Sequence, residues 1–209
     1  MNISSYNLDF HKHILSKWAA SRAASQSKGF KFSVELGSEL LLLGKKGCKT
    51  NDKEFIDYIK QIENFNSQDD YDSWHHQTIV NMTSGTDELK ELLNINNKSF
   101  NNYTYGIAAK ILNCYLKVFF LESFGNQKFA DFIHPPVDAI LLKALRKEDK
   151  TLFNFKDPIF IHIGVQKIPT WTRINENEYK EIIKLMKEFL STKGQNGLWK
   201  IESFWIGHQ

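Results

Sequence analysis

The sequence predicts an all-α protein, a compact multi-helix bundle of roughly seven or eight helices, on three observations. Apolar residues recur at three- and four-residue intervals over most of the chain. Sustained apolar/polar alternation, the mark of a half-buried strand, is scarce. The composition is that of a folded chain, with 42% hydrophobic and 24% charged residues, and 16 Phe, 7 Tyr and 5 Trp supply the area a core needs. At 209 residues, a single mostly helical domain over 1–209 is the expectation.

The first helix is expected to start at Leu8, with Leu8, Ile14, Leu15, Trp18, Ala19 and Ala23 as its apolar side, and to end in the polar run Ser25 to Gly29. A second runs from Phe32 to Leu43 and is stopped by Gly44 and Gly47. Asn51 or Asp52 caps a third, whose stripe is Phe55, Tyr58, Ile59 and Ile62. Asp69 or Asp70 caps a fourth that turns Tyr71, Trp74 and Ile79 inward. A short helix from Thr86 to Leu93 precedes an Asn-rich connector, 94–102, in which Phe100 is able to pack. After Leu152 the pattern loosens, and Pro158 to Val165 reads as one short strand or a buried loop. From Asn175 an amphipathic helix sets Tyr179, Ile182, Ile183, Met186 and Phe189 against the core, and Trp199, Ile201, Phe204 and Trp205 dock the tail.

Several function classes lose support. Residues 1–13 lack the basic-then-apolar order of a secretory signal, and the longest aliphatic run, Leu40 to Leu43, is far below the roughly 20 residues that span a bilayer. A cytoplasmic protein with no membrane partner is therefore expected. Cys48 and Cys114 imply neither a disulfide nor a metal pair, and His11, His13, His75 and His76 read as structural. No phosphate loop, dinucleotide fingerprint, nucleophile elbow or zinc motif is present, so neither metal nor cofactor is expected. A formal charge of +3 permits nucleic-acid binding without demanding it. Lys45, Lys46 and Lys49 form one basic cluster; Lys143, Arg146 and Lys147 form another, at a helix C-terminus where cations complement the dipole.

Two segments carry candidate chemistry. In Tyr105-Gly106-Ile107-Ala108-Ala109-Lys110-Ile111-Leu112-Asn113, a glycine turn leads into a helix with Ile107, Ile111, Cys114, Val118 and Leu121 as its buried stripe. Lys110, Asn113 and Lys117 then share a polar face. A lysine early in a helix meets the positive end of the dipole, which favours the free amine that a nucleophile needs. Downstream, His134-Pro135-Pro136-Val137-Asp138 stays extended, and Asp138 caps the following helix, where its carboxylate is rigid and ionised.

Together these segments, about a fifth of the chain, resemble the helix-hairpin-helix DNA glycosylases, in particular the lysine-dependent 8-oxoguanine glycosylases. The resemblance identifies Gly106-Ile107-Ala108 with the family's Gly-hydrophobic-Gly hairpin turn, Lys110 with its nucleophile and Pro136-Val137-Asp138 with its aspartate motif. It implies a glycosylase/lyase that flips a damaged base out of duplex DNA, with Lys110 and Asp138 catalytic. It also implies substrate contacts from Gly106, Ala108, Asn113, Lys117 and His134. Ala108 stands where the family has a second glycine, no Pro precedes Gly106, and the Lys110 to Asp138 interval of 28 residues is long for the family. The competing expectation is a non-catalytic helical module that binds nucleic acid or protein, with an electrostatic groove and no pocket between Lys110 and Asp138.

Overall fold

The computed structural model describes residues 7–25, 34–92, 103–163 and 168–205, and the regular structure among them is entirely helical. Its α-helices are α1 (Leu8–Ser25), α2 (Val34–Leu42), α3 (Asp52–Lys60), α4 (Gln68–Ser84), α5 (Thr86–Leu92), α6 (Tyr105–Phe119), α7 (Ala139–Glu148) and α8 (Glu176–Thr192). Short 3₁₀ turns fill several connections. Phe32, Leu93 and the 94–102 connector with Phe100 lie outside the described residues.

Side-chain caps explain where helices begin. Asn51 accepts the Glu54 amide to open α3, and Thr104 accepts the Ile107 amide to open α6. Asn175 and Glu178 form a reciprocal capping box on α8. The cap of α4 is Ser67, not Asp69 or Asp70. Its hydroxyl accepts the Asp70 amide at 3.1 Å while donating to the Asp70 carboxylate at 2.7 Å, which makes Asp70 a first-turn residue. Pro158–Ile163 is a 3₁₀ turn and not a strand. Asp157 accepts the Ile159 amide at 2.9 Å, a local bond available without a partner strand, and no strand exists among the described residues to offer a ladder.

The central element is α6. Gly106, Ile107, Ala108, Ala109, Ile111, Leu112, Asn113, Tyr115, Leu116 and Phe119 are all buried, so most of its circumference is covered. The stripe expected for it is met at two of its five positions: Ile107 and Ile111 are buried, but Cys114 and Val118 are partly exposed and Leu121 is largely exposed.

Against α6 lies α1, turned opposite to expectation. Leu8, Ile14, Leu15 and Trp18 are 46–60% exposed, while His13, Ser16, Ala20 and Ser21 are fully buried. Small residues let two helix backbones approach closely, which a face of Leu and Trp would prevent. The buried polar groups find partners close by: Ser16 and Ser21 donate to the carbonyls of Lys12 and Lys17 at 2.7 Å each, His13 Nδ1 meets the Tyr115 hydroxyl at 2.7 Å, and His13 Nε2 lies 3.1 Å from Asp52 Oδ1. The remaining core joins Leu40, Phe55, Tyr71, Leu142, Phe153 and Phe189, and the tail adds Leu198 and Ile201, the buried residues of the 3₁₀ turn Leu198–Phe204. Among the described residues, no helix is long and apolar enough to cross a membrane.

Candidate active site

One strip of α6 stays open, along Lys110, Cys114, Lys117 and Val118, and it floors a cleft of about 570 Å³. The walls come from Ala19, Arg22 and Ala23 of α1, from Pro136, Asp138, Ala139 and Ile140 around the start of α7, and from Trp171 and Trp205. Lys110 and Asp138 meet here. The Lys110 Nζ lies 3.5 Å from Asp138 Oδ2, with side chains only 15% and 12% exposed. Asp138 divides its oxygens between two tasks. Its Oδ1 accepts the Ile140 and Leu141 amides at 2.9 Å each, fixing the carboxylate as the N-cap of α7, and Oδ2 faces the amine. The indole of Trp171 sits over Nζ at 4.2 Å from its centroid and holds the lysine head group from a second side.

Gly106 and Ala108 stand differently from expectation. They belong to the first turns of α6, not to a hairpin turn. The Gly106 amide donates to the Ile174 carbonyl at 3.0 Å, and the Ala108 amide to Thr104 at 3.1 Å. Glycine is required at 106 because the 171–174 segment crosses against it: a Cβ there would collide with the Trp171 carbonyl oxygen and lie 2.9 Å from Ile174 Cβ. Both residues are buried and their amides are already engaged within the protein, so neither amide is open to a ligand.

Asn113 and His134 also leave the cleft. Asn113 is fully buried on the flank of α6 facing α4 and α8. Its Nδ2 donates to the Pro135 carbonyl at 3.0 Å and to the Tyr179 hydroxyl at 2.9 Å, so Oδ1 accepts from His75 Nε2 at 2.7 Å. Tyr179 is then free to donate to His134 Nδ1 at 3.1 Å, and His134 Nε2 donates to Asp72 at 2.9 Å. Lys187 binds the other Asp72 oxygen at 2.7 Å. Burial lowers the His75 and His134 pKa values, His75 well below the usual 6.5, although Asp72 pulls His134 the other way. His134, Lys187 and Gln68 hold the Asp72 carboxyl below its usual range against the opposing effect of burial. The network opens on a separate cavity of about 290 Å³. Through Pro135, it anchors the chain three residues before Asp138.

Lys117 does reach the cleft, where it pairs with Glu202 and lies 5.4 Å from the Trp205 ring. Residues not foreseen are Trp171, Trp205, Cys114 and the rim residue Ile140, which is 45% exposed. Cys114 carried a signal, since it lies one turn beyond Lys110. Burial pushes its thiol up to about 11, so it lines the cleft as a neutral group. The arrangement suits an organic substrate about the size of a nucleoside, offered an amine, a fixed carboxylate and aromatic faces. Among the described residues, no group of three or more His, Cys, Asp or Glu is placed to hold a metal. Comparison with protein-family models, with curated proteins and with solved structures returns no match.

Proposed function

We propose that the protein is a DNA base-excision glycosylase/lyase that works through a Schiff base on Lys110. One observation carries the reading: the Lys110 amine and the Asp138 carboxylate face a single cleft, 3.5 Å apart and largely shielded from solvent. The cleft's volume accommodates a flipped nucleoside.

In the proposed reaction, Lys110 Nζ forms a bond to the sugar C1′ as the glycosidic C1′–N bond breaks. The departing base takes that electron pair and the proton shed by the amine. The Nζ lone pair then expels O4′, which takes a proton from water, and cleavage of C1′–O4′ leaves a protonated Schiff base. Asp138, fixed by two amides, stabilises the positive charge that develops at the sugar. Loss of a C2′ proton with cleavage of the C3′–O bond then nicks the strand. The test is borohydride reduction during reaction with duplexes containing 8-oxoguanine or an abasic site. A covalent adduct with native protein, missing with Lys110→Gln, is expected.

The second reading, a non-catalytic module, draws on Gly106, whose amide is engaged by Ile174 and leaves the start of α6 without a phosphate contact. It predicts binding of nucleic acid or protein without any adduct.

A further inference from the structure

The cleft has a continuation. Lys117 and Trp205 also line a groove of about 780 Å³ that runs past Leu121 and Phe124 to Trp199 and Lys200. From Lys110 to Lys117 the floor of α6 advances two turns, about 10 Å, so cleft and groove form one path. Flat faces and cations alternate along it. Phe124 and Trp199 stack with centroids 5.6 Å apart at 15°, both partly exposed. Lys200 lies 5.7 Å from the Trp199 ring, and Lys117 5.4 Å from Trp205. Glu202, an acid in the groove lining, is paired by Lys117, whereas Lys200 has no acidic partner among the described residues. The Trp205 indole N–H is buried there with no hydrogen-bond partner among the described residues. Asp131 accepts the Trp199 indole N–H at 2.9 Å, which fixes that ring. Gly197, at φ 90°, leaves room for this contact, since a Cβ would run into the Asp131 carboxylate.

The geometry points to a binding site for unpaired nucleic acid: the groove holds a single strand running out of the Lys110 cleft. Every base offers a π face to stack, and two indoles, Trp199 beside Lys200 and Trp205 beside Lys117, bind such faces without reading sequence. A duplex keeps its base faces inside the stack, so it cannot use these platforms. This assignment rests on the DNA reading above and adds to it a preference, over continuous duplex, for DNA with unpaired bases beside the target, as in a bubble or flap.

The test is fluorescence anisotropy with labelled oligothymidylate of about a dozen nucleotides, set against a blunt duplex of equal length, on the full chain. Undamaged thymidylate contains no lesion, so binding is measured apart from Schiff-base chemistry. The native protein is expected to bind the single strand more tightly than the duplex. Trp199→Ala and Lys200→Glu are each expected to weaken it about tenfold. Lys200 is a partly exposed side chain, so its variant keeps the test valid if Trp199→Ala fails to fold. Equal or tighter duplex binding, or a folded Lys200→Glu that binds thymidylate like the native protein, overturns the assignment. Thymidylate binding without any borohydride adduct sinks the glycosylase reading and leaves the groove. An adduct on duplex DNA without thymidylate binding does the reverse.

Discussion

Replacing Asp138 in two ways separates its two tasks. Asp138→Asn keeps a side-chain oxygen for the Ile140 and Leu141 amides, now at 2.9 Å, but removes the charge that faces Lys110. Asp138→Ala removes both. Losing an N-cap costs about 1 kcal/mol, and for a chain of this length each kcal/mol lowers the melting temperature by about 2–4 °C. The alanine variant should therefore melt about 2–4 °C below native, and the asparagine variant within about 1 °C. On excision the two should look alike. Removing a fixed group that stabilises transition-state charge costs about 10²–10³ in rate, so single-turnover release of 8-oxoguanine from a duplex should slow by that factor in both. Circular dichroism melts and a quenched-time excision assay read the two effects separately. Native-like excision by Asp138→Asn would refute the electrostatic role, and an unchanged melt for Asp138→Ala would refute the cap.

Asn113→Ala should strip partners from the buried His75 N–H and the Pro135 carbonyl, at about 1–3 kcal/mol for each orphaned group; urea denaturation checks it, and a loss below about 1 kcal/mol would contradict the network. Gly106→Ala should force the 171–174 segment off α6 and cost about 1–3 kcal/mol by overpacking, visible as a lowered melt; an unchanged melt would mean the close approach is not required. Stability should fall on acidification. His13, His75 and His134 have folded pKa values lowered by burial from 6.5. Below that pH, protonation of the unfolded chain is not matched in the native state, with a loss of at most about 1.4 kcal/mol per pH unit for each histidine. Asp72, whose folded value is depressed from 3.8, adds a further loss as the pH falls below that value. Urea midpoints flat from pH 8 to 7 and declining below 6.5 are expected; a rise between pH 6.5 and 5 would reverse the sign.

Local chemistry made much of this legible. Asn51, Asn175 and Asp138 cap their helices through bonds two or three residues away, so the signal is contained in the sequence itself. The five apolar residues expected inward on α8 are all buried, because an amphipathic surface helix has only one way to face the core. Misreadings arose where distant chain intervenes. Asn113 lies on the same wheel sector as a solvent-facing residue, but His75 and Tyr179, 38 and 66 residues away, cover that flank. The apolar stripe of α1 pointed to the wrong side because a close helix–helix crossing selected serine and alanine over leucine. Gly106 invited a turn, whereas its lack of a side chain serves the passing Trp171–Ile174 segment, which no local pattern announces. Lys110 and Asp138 were both legible as a helix-start lysine and a cap; that they share a cleft, roofed by Trp171, depends on the packing of α6 against the start of α7.

The central claim is that Lys110 Nζ forms the bond to the sugar. Borohydride trapping on an abasic-site duplex, followed by proteolysis and mass spectrometry of the adduct, tests it most directly. A deoxyribose-derived mass on the peptide that carries Lys110, with no adduct in Lys110→Gln, is the predicted result. An adduct mapped to another amine, or none from the folded native protein, would contradict the account.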